Sequence, residues 1–171
     1  LPLAAVTATV PMGPGDIVPT PSGKLVVDVA NAKFPGYIDS GITVADVRDV
    51  ARGHVLAAQK GKIGETYLLG RETITFKELT DLIARIAGVR IRLVKLPKPL
   101  MFAYGWAAER IADRYTHREP VLTHAGARTA AQFAYFDCSK SVRDLGLTYR
   151  PLEETIAAAV AWFREIGLIH E

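Results

Sequence analysis

The sequence predicts an α/β protein with a parallel sheet, because apolar strand-like segments alternate with segments of helical spacing. Leu3 to Val10 carries no charge and no glycine and is mostly Ala, Val and Thr. This composition is typical of a strand buried on both faces of a parallel sheet. A second buried strand is predicted at Glu65–Leu69, and a helix that opens at Asp46 and ends at Gly61 lies between the two.

A strand buried on both faces needs neighbouring strands and covering helices. No residues precede Leu1 to supply them, so we expect the chain to be part of a longer protein. Pro11 is expected to end the first strand, and the Pro and Gly residues up to Asp16 favour a turn. Because ligands of open α/β sheets bind at the carboxyl ends of the strands, the segment Thr7–Pro14 is the candidate site.

Composition indicates one globular domain of 171 residues, 49% of them apolar. The net charge of +3 is scattered, and its densest cluster, residues 90–98, lacks the interleaved aromatic residues that suit nucleic acid. We interpret this cluster as a solvated strand edge, with a phosphate-binding patch as the alternative. A single cysteine and the lack of a long apolar segment favour a cytoplasmic protein without membrane contact.

The pattern predicts further elements in order. Ser22 is expected to cap a helix that runs to about Ala32, and one or two short strands follow between Tyr37 and Val44. In the helix that Asp46 caps, the predicted apolar positions are Val47, Val50, Ala51, Val55 and Ala58. Thr75 and Glu78 form a capping box for a helix that ends at Gly88, with Phe76, Leu79, Ile83 and Ile86 facing inward.

The second half of the chain is predicted to hold two strands and four helices. The strands are Ile91–Leu96 and Phe133–Phe136, and a short helix is expected around Arg128. A helix from Pro99 to about Ala112 has as its inward set Leu100, Tyr104, Ala107 and Ile111. Ser139 is expected to cap a brief helix that carries Val142 and Leu145. The final helix, Pro151–Ile166, has as its inward set Leu152, Ile156, Val160 and Phe163.

Several residues have both a structural and a chemical interpretation. For Asp46 and Asp49 we favour an N-cap and a first-turn acid over an acid/base or metal pair, since no other ligand-type residue is near in sequence. His54 is interpreted as a packed or surface residue and Cys138 as a small buried hydrophobe rather than a nucleophile. The sequence therefore predicts no metal site.

An aromatic pair, Phe102 and Trp106, marks either a partner surface or a second buried face.

Three segments, in this order, carry a resemblance to a known family: VPMGPGD at 10–16, VADVRDVARGH at 44–54, and FDCSK at 136–140 with Leu145-Gly146. GETYLLG at 64–70 and the helix start at 75–79 lie between them. The chain resembles the extended short-chain dehydrogenase/reductase superfamily, in its branch of dihydroflavonol reductase-like proteins and hopanoid-associated sugar epimerases. The likeness extends over essentially all of the chain.

The resemblance implies the C-terminal part of a Rossmann-type parallel sheet together with a small α/β substrate-binding domain. Residues 1–16 and about 46–70 would be sheet elements, and the remainder would mainly bind substrate. The family's glycine-rich phosphate loop has no counterpart here, and no tyrosine is followed by a lysine four positions later. The chain alone therefore has no catalytic residue of the family and is not expected to be an enzyme by itself.

The resemblance also implies roles for individual residues. Ala8, Thr9 and Val10 would form the cofactor-binding wall beside the nicotinamide, and the substrate-binding residues would be Pro11, Met12, Gly13 and Arg128. Sugar-nucleotide epimerases commonly have an asparagine at the position of Val10 and an arginine at that of Ile42. These two departures argue against a nucleotide-sugar substrate, because a pyrophosphate would lack charge-assisted donors.

The parent protein is thus expected to be an NAD(P)-dependent oxidoreductase that acts on a small carbonyl or alcohol substrate, with NAD or NADP as cofactor. Its partners would be an N-terminal dinucleotide-binding half and a second copy in a homodimer, with no nucleic acid. One alternative is part of a nucleotide-sugar epimerase or dehydratase. Another is a non-catalytic binding or regulatory module, since fold alone does not separate these.

Overall fold

The computed structural model describes residues 2–34, 36–37, 39–111, 128 and 131–170, with residues 101, 104, 105 and 111 described by their backbone alone. The strands are β1 (Ala5–Ala8), β2 (Val10–Met12), β3 (Gly36–Tyr37), β4 (Gly41–Asp46), β5 (Thr66–Leu69), β6 (Glu72–Thr75), β7 (Val94–Lys95) and β8 (Phe133–Ala134). The helices are α1 (Pro21–Ala30), α2 (Val47–Lys60), α3 (Phe76–Ala87), α4 (Lys98–Ile111), α5 (Ser139–Leu145) and α6 (Leu152–Glu165). The predicted α/β class with parallel strands is confirmed.

The first predicted strand is in fact two strands that belong to different sheets. β1 pairs in parallel with β5, whereas β2 pairs in parallel with β4, and the chain crosses between the sheets at Thr9. Pro11 lies inside β2 instead of ending the strand, which is tolerated because β2 is an edge strand. The expected burial on both faces is also wrong, since Ala5 and Thr7 are exposed.

The larger sheet has β4 at its centre. β6 runs antiparallel along one edge of β4, and β8 and then β2 lie along the other edge. Helices α1, α3 and α6 pack together on this sheet. The main core lies between them, and its fully buried residues include Val29, Val44, Leu79, Ile83, Ile156, Val160 and Phe163.

The predictions for α3 and α6 are confirmed, because their sequence patterns are strong and local. Thr75 and Glu78 exchange the hydrogen bonds of a capping box, and Gly88 ends α3 with a left-handed backbone at φ 77°. All four predicted inward residues of α6 are buried. α4 differs, because Leu100 is 59% exposed; Tyr104 and Ile111 of its predicted face lie outside the described side chains. Trp106 is 55% exposed and Phe102 is half-buried.

Two predicted N-caps are displaced. The cap of α1 is Thr20, whose hydroxyl accepts from Gly23 N–H, while the Ser22 hydroxyl donates to Pro11 O at 2.9 Å. Pro21 thereby occupies the first helical position, where a missing N–H costs nothing. Ser139 is the first residue of α5 and not its cap: Cys138 holds the cap position without a side-chain bond, and the Asp137 carboxylate accepts from Ser139 N–H at 2.9 Å.

The predicted inward face of α2 is largely wrong. Of its five residues only Val50 is buried, and Val55 is 56% exposed. The helix instead buries Asp49, Val50, Gly53 and Ala57. Gly53 explains the difference, because a Cβ there would lie 2.6 Å from Leu69 Cδ1, so only glycine lets α2 approach β5 so closely.

The outer edge of β5 is covered by α5. The Ser141 hydroxyl donates to Leu68 O, and the Lys140 ammonium donates to Thr66 O at 3.1 Å and pairs with the Glu65 carboxylate. These side-chain bonds satisfy carbonyls that would otherwise form an unpaired strand edge. Among the helices described, none has the length and apolarity that a membrane crossing requires.

Candidate functional site

The candidate site begins where β1 and β5 end side by side. Thr9 donates two hydrogen bonds to Leu69 O, from its N–H at 3.0 Å and from its hydroxyl at 3.1 Å. Gly70 follows directly, and a Cβ at this position would lie 2.7 Å from Thr9 Oγ1 and 2.8 Å from Thr43 Cγ2. The ends of the two strands are therefore held together with no space for a larger residue. This is the edge of a parallel sheet at which ligands bind.

The predicted cofactor residues lie at the crossing between the two sheets. Ala8, Thr9 and Val10 are all half-buried. Val10 packs against the main core, and its strand partner in β4 is Val44. The three residues thus present backbone and small side chains beside the end of β1, with no charged group among them.

A cavity of about 200 Å³ lies beside the predicted substrate residues. It is bounded by the loop Pro11–Asp16, by the first turns of α1, by Val47 at the start of α2, and by Ala159 and Phe163 of α6. Met12 and Gly13 are buried in its wall, whereas Pro11 is exposed. The sequence gives no local signal that Val47, Ala159 and Phe163 line this cavity, because they are distant along the chain from Pro11–Asp16.

The polar side chains that line this cavity are paired with the protein itself. The Asp16 carboxylate accepts from Thr20 N–H at 2.9 Å and from the Thr20 hydroxyl at 2.8 Å. Asp16 O accepts from Trp162 Nε1 at 3.2 Å, which fixes the loop against α6. The cavity therefore offers mainly apolar contact, which suits a hydrocarbon or aromatic part of a small molecule better than a phosphate.

The backbone of Gly13 also shapes this cavity. It has φ 143°, and a Cβ at this position would lie 2.8 Å from Val47 Cγ1. Any larger residue would be strained and would push the loop away from α2. The loop therefore depends on glycine at this point.

Asp46 caps α2, as predicted, and also joins this helix to α6. It accepts from Arg48 N–H at 2.8 Å, forms a two-pronged ion pair with the Arg48 guanidinium, and accepts from the Thr155 hydroxyl of α6 at 2.9 Å. Burial by itself would raise the pKa of Asp46, but the Arg48 and Thr155 hydrogen bonds outweigh it and hold that pKa below its ordinary value. The carboxylate is fully used in joining α2 to α6.

Asp49 makes a similar connection. Its carboxylate accepts from Arg150 N–H at 2.7 Å and pairs with the Arg150 guanidinium, so it ties α2 to the segment before α6. The predicted N-cap at Asp46 and the predicted first-turn acid at Asp49 are confirmed, and both carboxylates bond within the protein. No cluster of three metal-ligand side chains occurs in the part of the chain that the structure describes.

The remaining titratable candidates do not form an acid/base centre. Burial raises the pKa of the Cys138 thiol, so it remains protonated and unreactive. His54 is exposed, and its Nδ1 lies 2.8 Å from Val50 O of its own helix. Arg128 is exposed and is not among the residues that line the cavity. The other residues predicted around Arg128 lie outside the described ones.

No family model matches the chain. It is 33% identical over 171 residues to a dihydroflavonol 4-reductase-like protein of Synechocystis sp., covering 98% of this chain and 50% of that protein. The crystal structure of gox2253 superposes with a TM-score of 0.79 at 35% identity, over 98% of this chain and 50% of that one. RMD from Pseudomonas aeruginosa, solved with NADPH, shares the fold at a TM-score of 0.66 and 15% identity, over 96% and 49% of the two chains.

The chain thus spans about half the length of the relatives it matches. This is the proportion expected from the motifs, which placed it in the C-terminal part of a family with a Rossmann-type sheet. The parallel β1–β5 pair and the α/β elements around the larger sheet agree with that part of the fold. The predicted resemblance to the extended short-chain dehydrogenase/reductase superfamily is thus confirmed by relatives of the dihydroflavonol reductase-like kind, over about half of their length.

Proposed function

We propose that this chain is the C-terminal, substrate-binding portion of an NAD(P)-dependent oxidoreductase that acts on a small carbonyl or alcohol compound. The observation that carries the proposal is the position of the apolar cavity at Pro11–Asp16, which directly follows the residues at the end of β1. The resemblance to dihydroflavonol reductase-like proteins over nearly the whole chain supports it.

The residues present fit one end of the cofactor. Backbone groups of Ala8 and the small side chain of Thr9 border the end of β1, and we place the flat nicotinamide ring beside them. Nothing in the described residues resembles a glycine-rich phosphate loop, so the pyrophosphate would be bound by a dinucleotide-binding half. The cofactor would supply the hydride.

The chain's own residues would orient the substrate and exclude water. Pro11, Met12 and Gly13 would contact its apolar part from the cavity wall, and the exposed Arg128 would bind an anionic or hydroxyl group. General acid/base chemistry would come from outside this chain, since Tyr149 is bound to Gly70 N–H and Asp46 and Asp49 are paired.

The first alternative, part of a nucleotide-sugar epimerase or dehydratase, has less support. Val10 and Ile42 both pack against the main core, and the polar side chains of the cavity are already bonded within the protein. A sugar nucleotide carries two phosphates, and these residues offer no donor for them. A non-catalytic module remains the second alternative.

The test uses the longer protein that contains this chain, assayed with NADH and NADPH on small ketones, aldehydes and alcohols. Met12→Ala enlarges the cavity, so we expect a several-fold change of KM for the carbonyl substrate and an unchanged Kd for the cofactor. Ile17→Ala, an exposed change in the same loop, is the control and should change neither. Micromolar binding of a uridine-diphosphate sugar that Arg128→Ala abolishes would favour the epimerase. Lack of turnover with every substrate would favour the module.

A further inference from the structure

A second cavity lies apart from the apolar one. It is an open groove of about 640 Å³ between the end of β5, the segment that follows β8, the helix α5 and the segment before α6. None of its lining residues lines the apolar cavity. We call it the α5 groove, and the side chains that give it its chemistry are Arg71, Phe136, Asp137, Val142, Leu147 and Tyr149. Its size suits a small molecule.

Part of the wall of the α5 groove is apolar and open to solvent. Phe136 is 48% exposed and Val142 is 47% exposed, whereas Leu147 is buried. The backbone of Phe136 is fixed, because its N–H donates to the Thr43 hydroxyl at 2.9 Å. Two large apolar side chains on one groove favour contact with a hydrocarbon or aromatic group, since that contact would remove apolar surface from water.

Arg71 gives the α5 groove a positive charge that is held in place. Its Nη1 donates to Tyr149 O at 2.7 Å. Its Nε lies 4.0 Å from the Glu72 carboxylate, which is too long for a hydrogen bond, and its Nη2 has no hydrogen-bond partner within the described residues. The edge of the guanidinium formed by Nε and Nη2 is therefore free to bind a carboxylate with two hydrogen bonds.

Tyr149 adds a second donor to the α5 groove. Its hydroxyl accepts from Gly70 N–H at 3.2 Å, and its own hydrogen has no acceptor in the part of the chain that the structure describes. A phenol is protonated at neutral pH and can donate this hydrogen. Since Gly70 and Arg71 are adjacent in the chain, the hydroxyl and the guanidinium border the same end of the groove.

Asp137 supplies the opposite charge. Its carboxylate accepts from Ser139 N–H at 2.9 Å, and among the described residues no cationic side chain pairs with it. Asp137 and Arg71 both line the groove but form no ion pair with each other. The groove therefore holds one positive and one negative group at separate positions, and this pattern is complementary to a ligand that carries both charges.

We propose that the α5 groove binds a small zwitterion with an apolar side chain, of the class of the apolar α-amino acids. The carboxylate would lie between the Arg71 guanidinium and the Tyr149 hydroxyl, with the ammonium beside Asp137. The apolar side chain would lie against Phe136 and Val142. A simple anion or a simple amine would leave one charge of the groove without a partner. The site is independent of the proposed function, because no residue lines both cavities.

Titration calorimetry of the longer protein that contains this chain tests the ligand class, with L-phenylalanine as the probe. Three analogues each lack one feature: L-phenylalaninamide lacks the carboxylate, 3-phenylpropionate the ammonium and L-alanine the aromatic ring. We expect saturable binding of L-phenylalanine and a Kd at least about tenfold higher for each analogue. Lack of saturable binding of L-phenylalanine up to about 10 mM would overturn the proposal. Equal binding of 3-phenylpropionate would also overturn it, because the site would then recognise a simple anion.

Variants test whether L-phenylalanine binds in the α5 groove. Arg71→Gln removes the guanidinium and Val142→Glu places a charge at the apolar wall, so each should raise the Kd at least about tenfold. Val142→Glu should leave the melting temperature unchanged, because the side chain is half exposed. Arg143→Gln, an exposed change on the same helix outside the groove, is the matched control and should leave the Kd unchanged.

Met12→Ala, in the apolar cavity, should also leave the Kd for L-phenylalanine unchanged. If Met12→Ala abolishes binding and Val142→Glu does not, the amino acid binds in the apolar cavity and the proposal is wrong. None of these measurements needs turnover, so they remain informative whatever the activity assay of the longer protein shows.

Discussion

Tyr149 holds the end of β5 in place, because its hydroxyl accepts a hydrogen bond from the backbone N–H of Gly70 at 3.2 Å. The two residues are 79 positions apart, and the bond joins the segment before α6 to the candidate site. Burial raises the pKa of Tyr149 to about 12, although the Gly70 hydrogen bond opposes the shift. The hydroxyl is therefore neutral at physiological pH and serves as an acceptor.

Tyr149→Phe should lower the free energy of unfolding at pH 7 by about 1 kcal/mol, because the buried N–H of Gly70 loses its acceptor. The raised pKa adds a pH dependence. The contribution of Tyr149 is fully present below its unfolded pKa of about 10 and is lost as the pH rises towards 12. Urea denaturation between pH 7 and 11 should therefore show a steeper alkaline loss in the wild type than in Tyr149→Phe. Tyr135→Phe, at an exposed tyrosine, should match the wild type.

Gly70→Ala should destabilise the protein by about 1–3 kcal/mol, because its Cβ would overlap Thr9 Oγ1 and Thr43 Cγ2. Thr9→Ala removes the overlaps with Thr9 Oγ1 and Thr9 Cγ2 and leaves the one with Thr43 Cγ2. A double-mutant cycle should thus show that Thr9→Ala recovers part of the loss caused by Gly70→Ala. Strict additivity of the two changes would show that the strand ends are looser than described.

Asp46→Ala should cost about 2 kcal/mol, since it removes an N-cap, an ion pair and the bond from Thr155. Asp46→Asn keeps a capping residue but loses the charge, so its cost should be intermediate. Asp39→Asn, which breaks an exposed pair with Lys95, should change stability little. In the longer protein none of the three should change the turnover proposed above. Lost activity at an unchanged melting temperature would place Asp46 in the site.

A fall in pH should selectively remove the contribution of Asp46 to the free energy of unfolding. Its folded pKa lies below its ordinary value, so its stabilisation is present above the unfolded pKa of about 4 and is lost as the pH falls through the lower folded pKa. The stability difference between the wild type and Asp46→Asn, from urea denaturation at a series of pH values, should therefore be constant near neutrality and shrink below about pH 4. A difference that persists at pH 2 would attribute the effect to packing instead.

The 171-residue chain alone should bind neither NAD nor NADP tightly. The few contacts available from Ala8 and Thr9 are too small to offset the several kcal/mol lost when such a ligand is immobilised. Titration calorimetry should show no saturable binding tighter than about 100 μM, which corresponds to roughly 5.5 kcal/mol. Tighter binding by a soluble monomer would contradict the assignment of the phosphate site to another half.

Local patterns in the sequence were sufficient for several elements. The capping box of Thr75 and Glu78, the left-handed Gly88 and the inward set of α6 depend on contacts within one helix or its ends. Asp46 was recognised as an N-cap for the same reason. The motif at 10–16 located the loop that lines the cavity, because proline and glycine restrict a chain in ways that do not depend on distant residues.

The change of sheet and the buried face of α2 depend on long-range contacts, which only the tertiary structure shows. The change of sheet at Thr9 depends on β5 and β4, whose pairing partners lie about 60 and 34 positions further along the chain. The face that α2 buries is set by Gly53 against Leu69 and by Asp49 against Arg150, so a charged residue is inside while Val55 is exposed. The spacing of hydrophobic residues within α2 gives no information about either of these contacts. The sequence by itself therefore determined the helices α2, α3 and α6 and the turn at 10–16, and the tertiary structure determined where β1 gives way to β2 and which helix faces are covered.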